Sequence, residues 1–271
     1  MPIKKNKRRL FFGAEVDAPW SEESFGGRVI DERSRHLTLA FLGELLFTEI
    51  EKIVDTFPVP SFKVGIVGES NRLLLLPKNS PRAIAYLVDW VEQKALLEDF
   101  QKNLIQWLAF HHLPIQKQTT LLSHITFARA PFKGDLTKMT LSQPIPFTLQ
   151  AIHLYESVGN LHYQPVWSYP LIPPFEELEH IADIAFRIYA EKNSQLHLHA
   201  QYALAFKFPS LLPFVFLDSL KEDLDEIIIA LNQLVTKADQ LIGSPLKAVS
   251  FHGSIERNDM GILQWEMIVD V

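Results

Sequence analysis

Apolar and polar positions alternate along Arg35-His36-Leu37-Thr38-Leu39-Ala40-Phe41-Leu42-Gly43 and again along Ser123-His124-Ile125-Thr126-Phe127-Ala128-Arg129. This is the pattern of a half-buried β-strand. Successive side chains on a strand point to opposite faces, so His36, Thr38 and Ala40 are expected on one face. Leu37, Leu39 and Phe41 are expected on the other, in the core. The second run pairs His124 with Thr126, and Ile125 with Phe127. Each strand then presents an imidazole and a hydroxyl on a face the apolar set leaves open. If the two strands adjoin, two His-x-Thr pairs face one cleft.

The rest of the pattern places these strands. Arg8 to Val16 reads as a first strand, and Pro19 to Arg35, with Gly26-Gly27, as a loop into the first His-x-Thr run. A short helix over Thr48 to Asp55 precedes Pro58 and Pro60. Ser61–Val67 and Arg72–Leu76 are expected as a hairpin pair. Ser80-Pro81 has the form of a helix start, and helical spacing from there to Phe110 predicts one long helix or two broken ones. Phe147–Glu156 and Leu161–Trp167 form a hairpin across Gly159-Asn160. Prolines 165, 170, 173 and 174 mark a boundary, dividing the chain into domains 1–170 and 171–271. Beyond it, strands are expected over Asp183–Ala190, Phe214–Leu217, Leu246–Glu256 and Leu263–Val269, and helices over Ser194–Phe206 and Lys221–Ile242.

Composition narrows the chemistry. The chain has 271 residues and no cysteine, which removes disulfides, thiolate metal sites and a cysteine nucleophile. The basic start, Lys4 to Arg9, is followed by no apolar signal-peptide core, and no run is long enough to span a membrane. A soluble cytoplasmic protein with no membrane partner is expected. Residues 1–170 hold 19 Lys and Arg against 17 Asp and Glu, whereas residues 171–271 hold 7 against 15. The first part can carry a local basic patch for RNA; the acidic second part is a poor nucleic-acid surface.

Histidine titrates near neutrality, so one imidazole can act as base while a second acts as acid across a phosphodiester. Thr38 and Thr126 offer hydroxyl donors for the non-bridging oxygens, and Arg129 a charge-assisted bond. No phosphate-binding Gly-x-x-x-x-Gly-Lys, His-Glu-x-x-His or nucleophile elbow is present as a rival. Arg9-Leu-Phe-Phe12, His36-Leu-Thr-Leu-Ala-Phe-Leu-Gly43 and His124-Ile-Thr-Phe-Ala-Arg129 resemble the 2H phosphoesterases, closest to the RNA 2′,3′-cyclic phosphodiesterases also called 2′-5′ RNA ligases. The resemblance covers about residues 8–170. It implies a bilobal α+β fold with a central cleft and hydrolysis of RNA 2′,3′-cyclic phosphate ends to 2′-phosphates without a metal cofactor. In that likeness His36 protonates the departing 3′ oxygen, His124 activates water, and Thr38 and Thr126 bind the phosphate. The segment between the first strand and His36 is shorter than the family's.

In the second part, Glu179-His-Ile-Ala-Asp-Ile-Ala185, Pro245-Leu-Lys-Ala-Val-Ser-Phe-His252 and Ile268-Val-Asp-Val271 resemble archease, here in a shortened strand-helix-strand α+β domain. The resemblance implies a divalent cation (calcium, magnesium or manganese) at Asp183, Asp270 and Val271, since carboxylates make a hard oxygen site. It also implies a GTP-dependent RNA-splicing ligase as partner, and a setting in RNA repair or tRNA processing. Lys247 and His252 fall on a family element of open role. Two other readings remain: an accessory activator of that ligase whose first half binds RNA ends, and 2′-5′ RNA ligation by the same histidines.

Overall fold

A computed structural model describes residues 7–20, 26–91, 94–115, 121–133, 135–136, 139–180 and 183–271. The order of elements is β1 (Lys7–Asp17), β2 (Arg28–Val29), β3 (His36–Leu46), α1 (Phe47–Glu51), β4 (Val67–Leu76), β5 (Ala83–Trp90), α2 (Lys94–Phe110), β6 (His124–Arg129), β7 (Ile145–Gly159), β8 (His162–Pro170), β9 (Phe175–Leu178), β10 (Ile184–Ala190), α3 (Asn193–Lys207), α4 (Leu224–Ile242), β11 (Ala248–Arg257) and β12 (Leu263–Asp270).

The first eight strands form one antiparallel sheet in the order β1-β3-β6-β5-β4-β7-β8, and β1 also pairs with β7. Six strands therefore close into a ring, with β8 attached to β7 and β2 to β6. The ring consists of two three-stranded units, β7-β1-β3 and β4-β5-β6. They join where β3 meets β6 and where β4 meets β7. The two units together close into one antiparallel, barrel-like sheet. Its interior is apolar: Phe12, Leu37, Leu39, Ile84, Tyr86, Ile125, Phe127 and Phe147 are all buried. Closing the sheet removes most of its free edges.

Two expectations fail in this part of the chain. Residues 83–90 are a strand, not the start of a helix. A buried strand and a buried helix turn cannot be separated by periodicity over so short an apolar run, and β5 is covered on both sides by neighbouring strands. The hairpin partner of β4 is β5, not Ser61–Val67. The earlier segment instead runs along the junction, with one parallel bridge at Val64↔Ile172 and both Lys63 N and Val64 N donating to Glu191 Oε1.

The last four strands form a second antiparallel sheet, β11-β12-β10-β9. α3 and α4 supply Leu196, Leu204, Ile227, Leu231 and Leu234 to its core, against Phe186, Ile188, Trp265 and Met267. Residues 195–205 of α3 are all buried. α3 also packs toward the ring, where Leu198 and Tyr202 join Val67. A helix enclosed on all sides has little amphipathic contrast. Residues 209–214, followed by coil, stand where a strand over Phe214–Leu217 was expected. The chain changes sheets between Pro170 and Phe175. Among the described residues, no helix is long and apolar enough to cross a membrane.

Candidate active site

β3 and β6 meet at a single antiparallel pair, Leu37↔Ile125. These are equivalent residues of the two echoed runs, so the ring's internal two-fold passes between them. Both are fully buried, and their neighbours therefore face outward. Extending the register one step each way sets His36 beside Thr126 and Thr38 beside His124. Facing residues of an antiparallel pair lie about 5 Å apart. The four candidate residues thus form one square on the outside of the ring, and the strands part on either side of it.

Each histidine is held in the same way. His36 Nδ1 lies 2.8 Å from the Ser34 carbonyl, and His124 Nδ1 lies 2.8 Å from the Leu122 carbonyl. A carbonyl only accepts, so in the neutral ring Nδ1 carries the hydrogen and Nε2 keeps its lone pair for the site. Ser34 is placed by a single 3-10 turn over Glu32–Ser34, capped by the Asp31 side chain on Arg33 N.

A second duplication lies just beyond the threonines. The β1–β3 register runs Gly13↔Thr38 and then Phe12↔Ala40, omitting Leu39. The β5–β6 register runs Ala85↔Thr126 and then Ile84↔Ala128, omitting Phe127. A bulge therefore follows each threonine, and a bulge re-aims the side chains after it. The carbonyls left by the bulges are satisfied separately: Gln101 Nε2 of α2 donates to Leu39 O at 2.9 Å, and Ile30 N donates to Phe127 O at 2.8 Å. Strict alternation would turn Phe41 into the core and Arg129 away from Thr126. With the phase shifted, Phe41 is 39% exposed, and both Phe41 and Arg129 line the cavity beside the histidines. The expectation that Phe41 belongs to the core is corrected by that bulge.

The cavity measures about 470 Å³, and Arg9, Arg28 and Arg129 open on it together with Phe11, Phe41 and Tyr163. β2 brings Arg28 alongside Arg129, and Arg28 Nε donates to the Ala130 carbonyl. His36 packs against Phe11, Tyr155 and Tyr163, with ring centroids 4.7, 5.2 and 4.8 Å away. Gly13 permits this, since a Cβ there would lie 3.2 Å from the Tyr155 ring and 3.1 Å from Leu37 O. Beneath Tyr155, His153 bridges Ser168 Oγ and Glu15 Oε2, each at 2.8 Å. Burial lowers the pKa of His36 to about 4 against the support of the Ser34 carbonyl, with Arg129 and His124 adding to the decrease. Burial and then Arg129 lower that of His124 as well. His36 thus feels the charge of Arg129 and of His124, and His124 that of Arg129.

No family model matches the chain, and no curated protein matches it in sequence. Among solved structures, E. coli LigT complexed with 3′-AMP is similar over 61% of this chain and 99% of its own, with 19% identity and a TM-score of 0.47. A structure described as a phosphoesterase is similar over 62% and 99%, with 18% identity and a TM-score of 0.44. The protein TT0787 of Thermus thermophilus is similar over 60% and 97%, with 16% identity and a TM-score of 0.45. Likenesses at this level fix neither activity nor substrate.

The structure thus brings His36, Thr38, His124, Thr126 and Arg129 together. Arg28, Tyr155, Tyr163, Gly13 and Gln101 are additions that sequence reasoning missed. Their signal is contact with a partner strand or, for Gln101, contact of helix α2 with β3, which alternation alone does not carry. Asp183 and Asp270 fall opposite each other when the β10–β12 ladder is extended by one pair beyond Ile184↔Val269. The Lys247 ammonium donates to the Val271 carbonyl beside them, and Asp183 N donates to His180 Nδ1. Among the described residues, no three His, Asp or Glu side chains gather closely enough to hold a metal ion.

Proposed function

We propose that the ring is an RNA 2′,3′-cyclic phosphodiesterase acting through two imidazoles without a metal cofactor. The observation that supports this is the Leu37↔Ile125 pairing, whose register, extended one step each way, matches each histidine with the other strand's threonine. A cyclic phosphate seated over that square meets an Nε2 from either side. One imidazole, His124, takes a proton from water as the water oxygen attacks phosphorus. The other, His36, gives its proton to the 3′ oxygen as the P–O3′ bond breaks, leaving a 2′-phosphate. Thr38, Thr126 and Arg129 bind the non-bridging oxygens, whose charge grows in the transition state. The bound anion also offsets Arg129, raising both imidazole pKa values so that one ring is charged when the reaction begins.

The test is turnover of RNA ending in a 2′,3′-cyclic phosphate in the presence of EDTA, with the product analysed as 2′- or 3′-monophosphate. Hydrolysis to the 2′-phosphate that His36→Ala and His124→Ala each abolish is expected. No turnover, or turnover indifferent to both changes, rejects the reading. A 3′-phosphate product would exchange the two histidines' roles.

For the second sheet we propose a separate reading, supported by the β10–β12 ladder, which matches Asp183 with Asp270 when extended by one pair. In it, Asp183, Asp270 and Val271 hold a hydrated divalent cation in an archease-like domain that assists an RNA-splicing ligase. Calcium, magnesium or manganese should then raise the melting temperature of the full chain, and Asp183→Ala with Asp270→Ala should remove the increase. Stimulation of a ligase by residues 171–271, lost in the same variants, tests the activator role.

A further inference from the structure

Resting on the phosphodiesterase reading above, we infer that the cavity beside the histidines holds a second phosphate, the one on the 5′ oxygen of the nucleoside that bears the cyclic end. The argument is one of charge. A cyclic phosphodiester carries a single negative charge, and Arg129 beside the two histidines meets it. Yet Arg9 and Arg28 also open on the cavity, and no carboxylate among the described residues lines it. By contrast, the neighbouring Arg8 is taken up by Glu156 at 3.2 Å. Two further guanidinium groups facing an open cavity with no carboxylate among its described lining residues call for a second anion.

Its position follows from the elements. β2 fixes Arg28 alongside Arg129, with Nε anchored on Ala130 O at 2.9 Å, so its terminal nitrogens remain for a ligand. Arg9 lies on β1 two residues from Phe11, which touches the His36 ring. The partly exposed face of Phe41 lies between the strands that carry these groups and offers a stacking surface for the base. The substrate class is thus a nucleoside with phosphate at both ends, from an RNA chain or from a 5′-phosphorylated mononucleotide.

Three substrates separate the possibilities: adenosine 2′,3′-cyclic phosphate, the same compound with a 5′-phosphate, and the dinucleotide ApA ending in the cyclic phosphate. With the wild-type chain, kcat/KM for the second and third should exceed the first by about tenfold or more, the worth of a charge-assisted contact. In Arg9→Gln and Arg28→Gln that ratio should fall toward one. The log-log salt dependence of dinucleotide binding should flatten by about 0.7 for each lost phosphate contact. Thermal unfolding of each variant reports whether it is folded, and Arg28→Lys keeps the charge where Arg28→Gln destabilises the chain. A preference for the 5′-phosphorylated mononucleotide alone assigns the pocket to a free chain end, and a preference for both assigns it to any 5′-linked phosphate. Equal kcat/KM across all three, or a ratio unchanged in folded variants of both arginines, overturns the second phosphate while leaving the phosphodiesterase reading in place. No turnover of any of the three overturns both.

Discussion

The two units of the ring share a skeleton and differ in what they hang on it. Glu15 faces His36 where Leu87 faces His124, and Gly13 faces Thr38 where Ala85 faces Thr126. One strand further out, Gly13 faces His153 while Ala85 faces Leu74. Five residues past each histidine stand Phe41 and Arg129. Shared backbone geometry gives both imidazoles the same tautomer and the same threonine across the strand. The decoration makes them chemically unequal, since His36 alone is enclosed by Phe11, Tyr155 and Tyr163. A duplicated scaffold thus yields two copies of one group in different environments, which acid and base work on one substrate requires.

The largest effects should come from the shared part. His36→Ala and His124→Ala should each lower kcat by about a hundredfold or more in the cyclic-phosphate assay. The double variant should be little worse than the poorer single one, because the two groups act as a unit. Losses that multiply would show two independent contributions and break the comparison.

Exchanging the decoration should separate rate from binding. Arg129→Ala should lower kcat by about ten- to a hundredfold, as loss of a charge-stabilising donor does. Phe41→Ala should mainly raise KM, by about five- to a hundredfold, as loss of a stacking surface worth ~1–3 kcal/mol does. Equal changes in kcat for both would mean the symmetric positions share one role.

The pH profile sharpens the comparison without depending on which ring is the acid. The profile of kcat/KM reports the free protein, and both imidazoles there are displaced downward, His36 to about 4. Both flanks of the bell should therefore lie below the unperturbed histidine value near 6.5. The kcat profile should shift to higher pH, since bound phosphate favours the charged rings. The same sign governs stability. His36, His197 and His199 are all lowered to about 4 by burial, so the unfolded chain binds protons that the folded one does not. Stability should fall as pH drops from about 6.5 toward 4, by at most about 1.4 kcal/mol per pH unit for each histidine.

Gln101→Leu tests one bulge alone. It leaves the Leu39 carbonyl without its donor and should cost about 1–3 kcal/mol in thermal unfolding. A change in activity should follow through the β3 arm while the Phe127 bulge, held by Ile30 N, is untouched. The smallest effect belongs to the second sheet. Asp183→Ala and Asp270→Ala should leave cyclic-phosphate turnover within about twofold, the scale of a surface substitution. A larger loss would tie that sheet to the reaction.

Much of the chemistry on offer was written along the chain. Composition excludes cysteine, and side-chain period alone gives two His-x-Thr strands with apolar positions for Leu37, Leu39, Ile125 and Phe127. The hairpin of β7 and β8, the helix α4 and the late strands were legible for the same reason: their signals are local. Tertiary structure decided what depends on a partner. Whether residues 83–90 coil or extend was settled by strands on both sides, because a short apolar run satisfies either period. The faces of Phe41 and Arg129 were settled by bulges, which exist only as a mismatch between two paired strands. The joining of β3 to β6 at Leu37↔Ile125 was settled by closure of the ring, and that contact across the sequence places two distant imidazoles in one site.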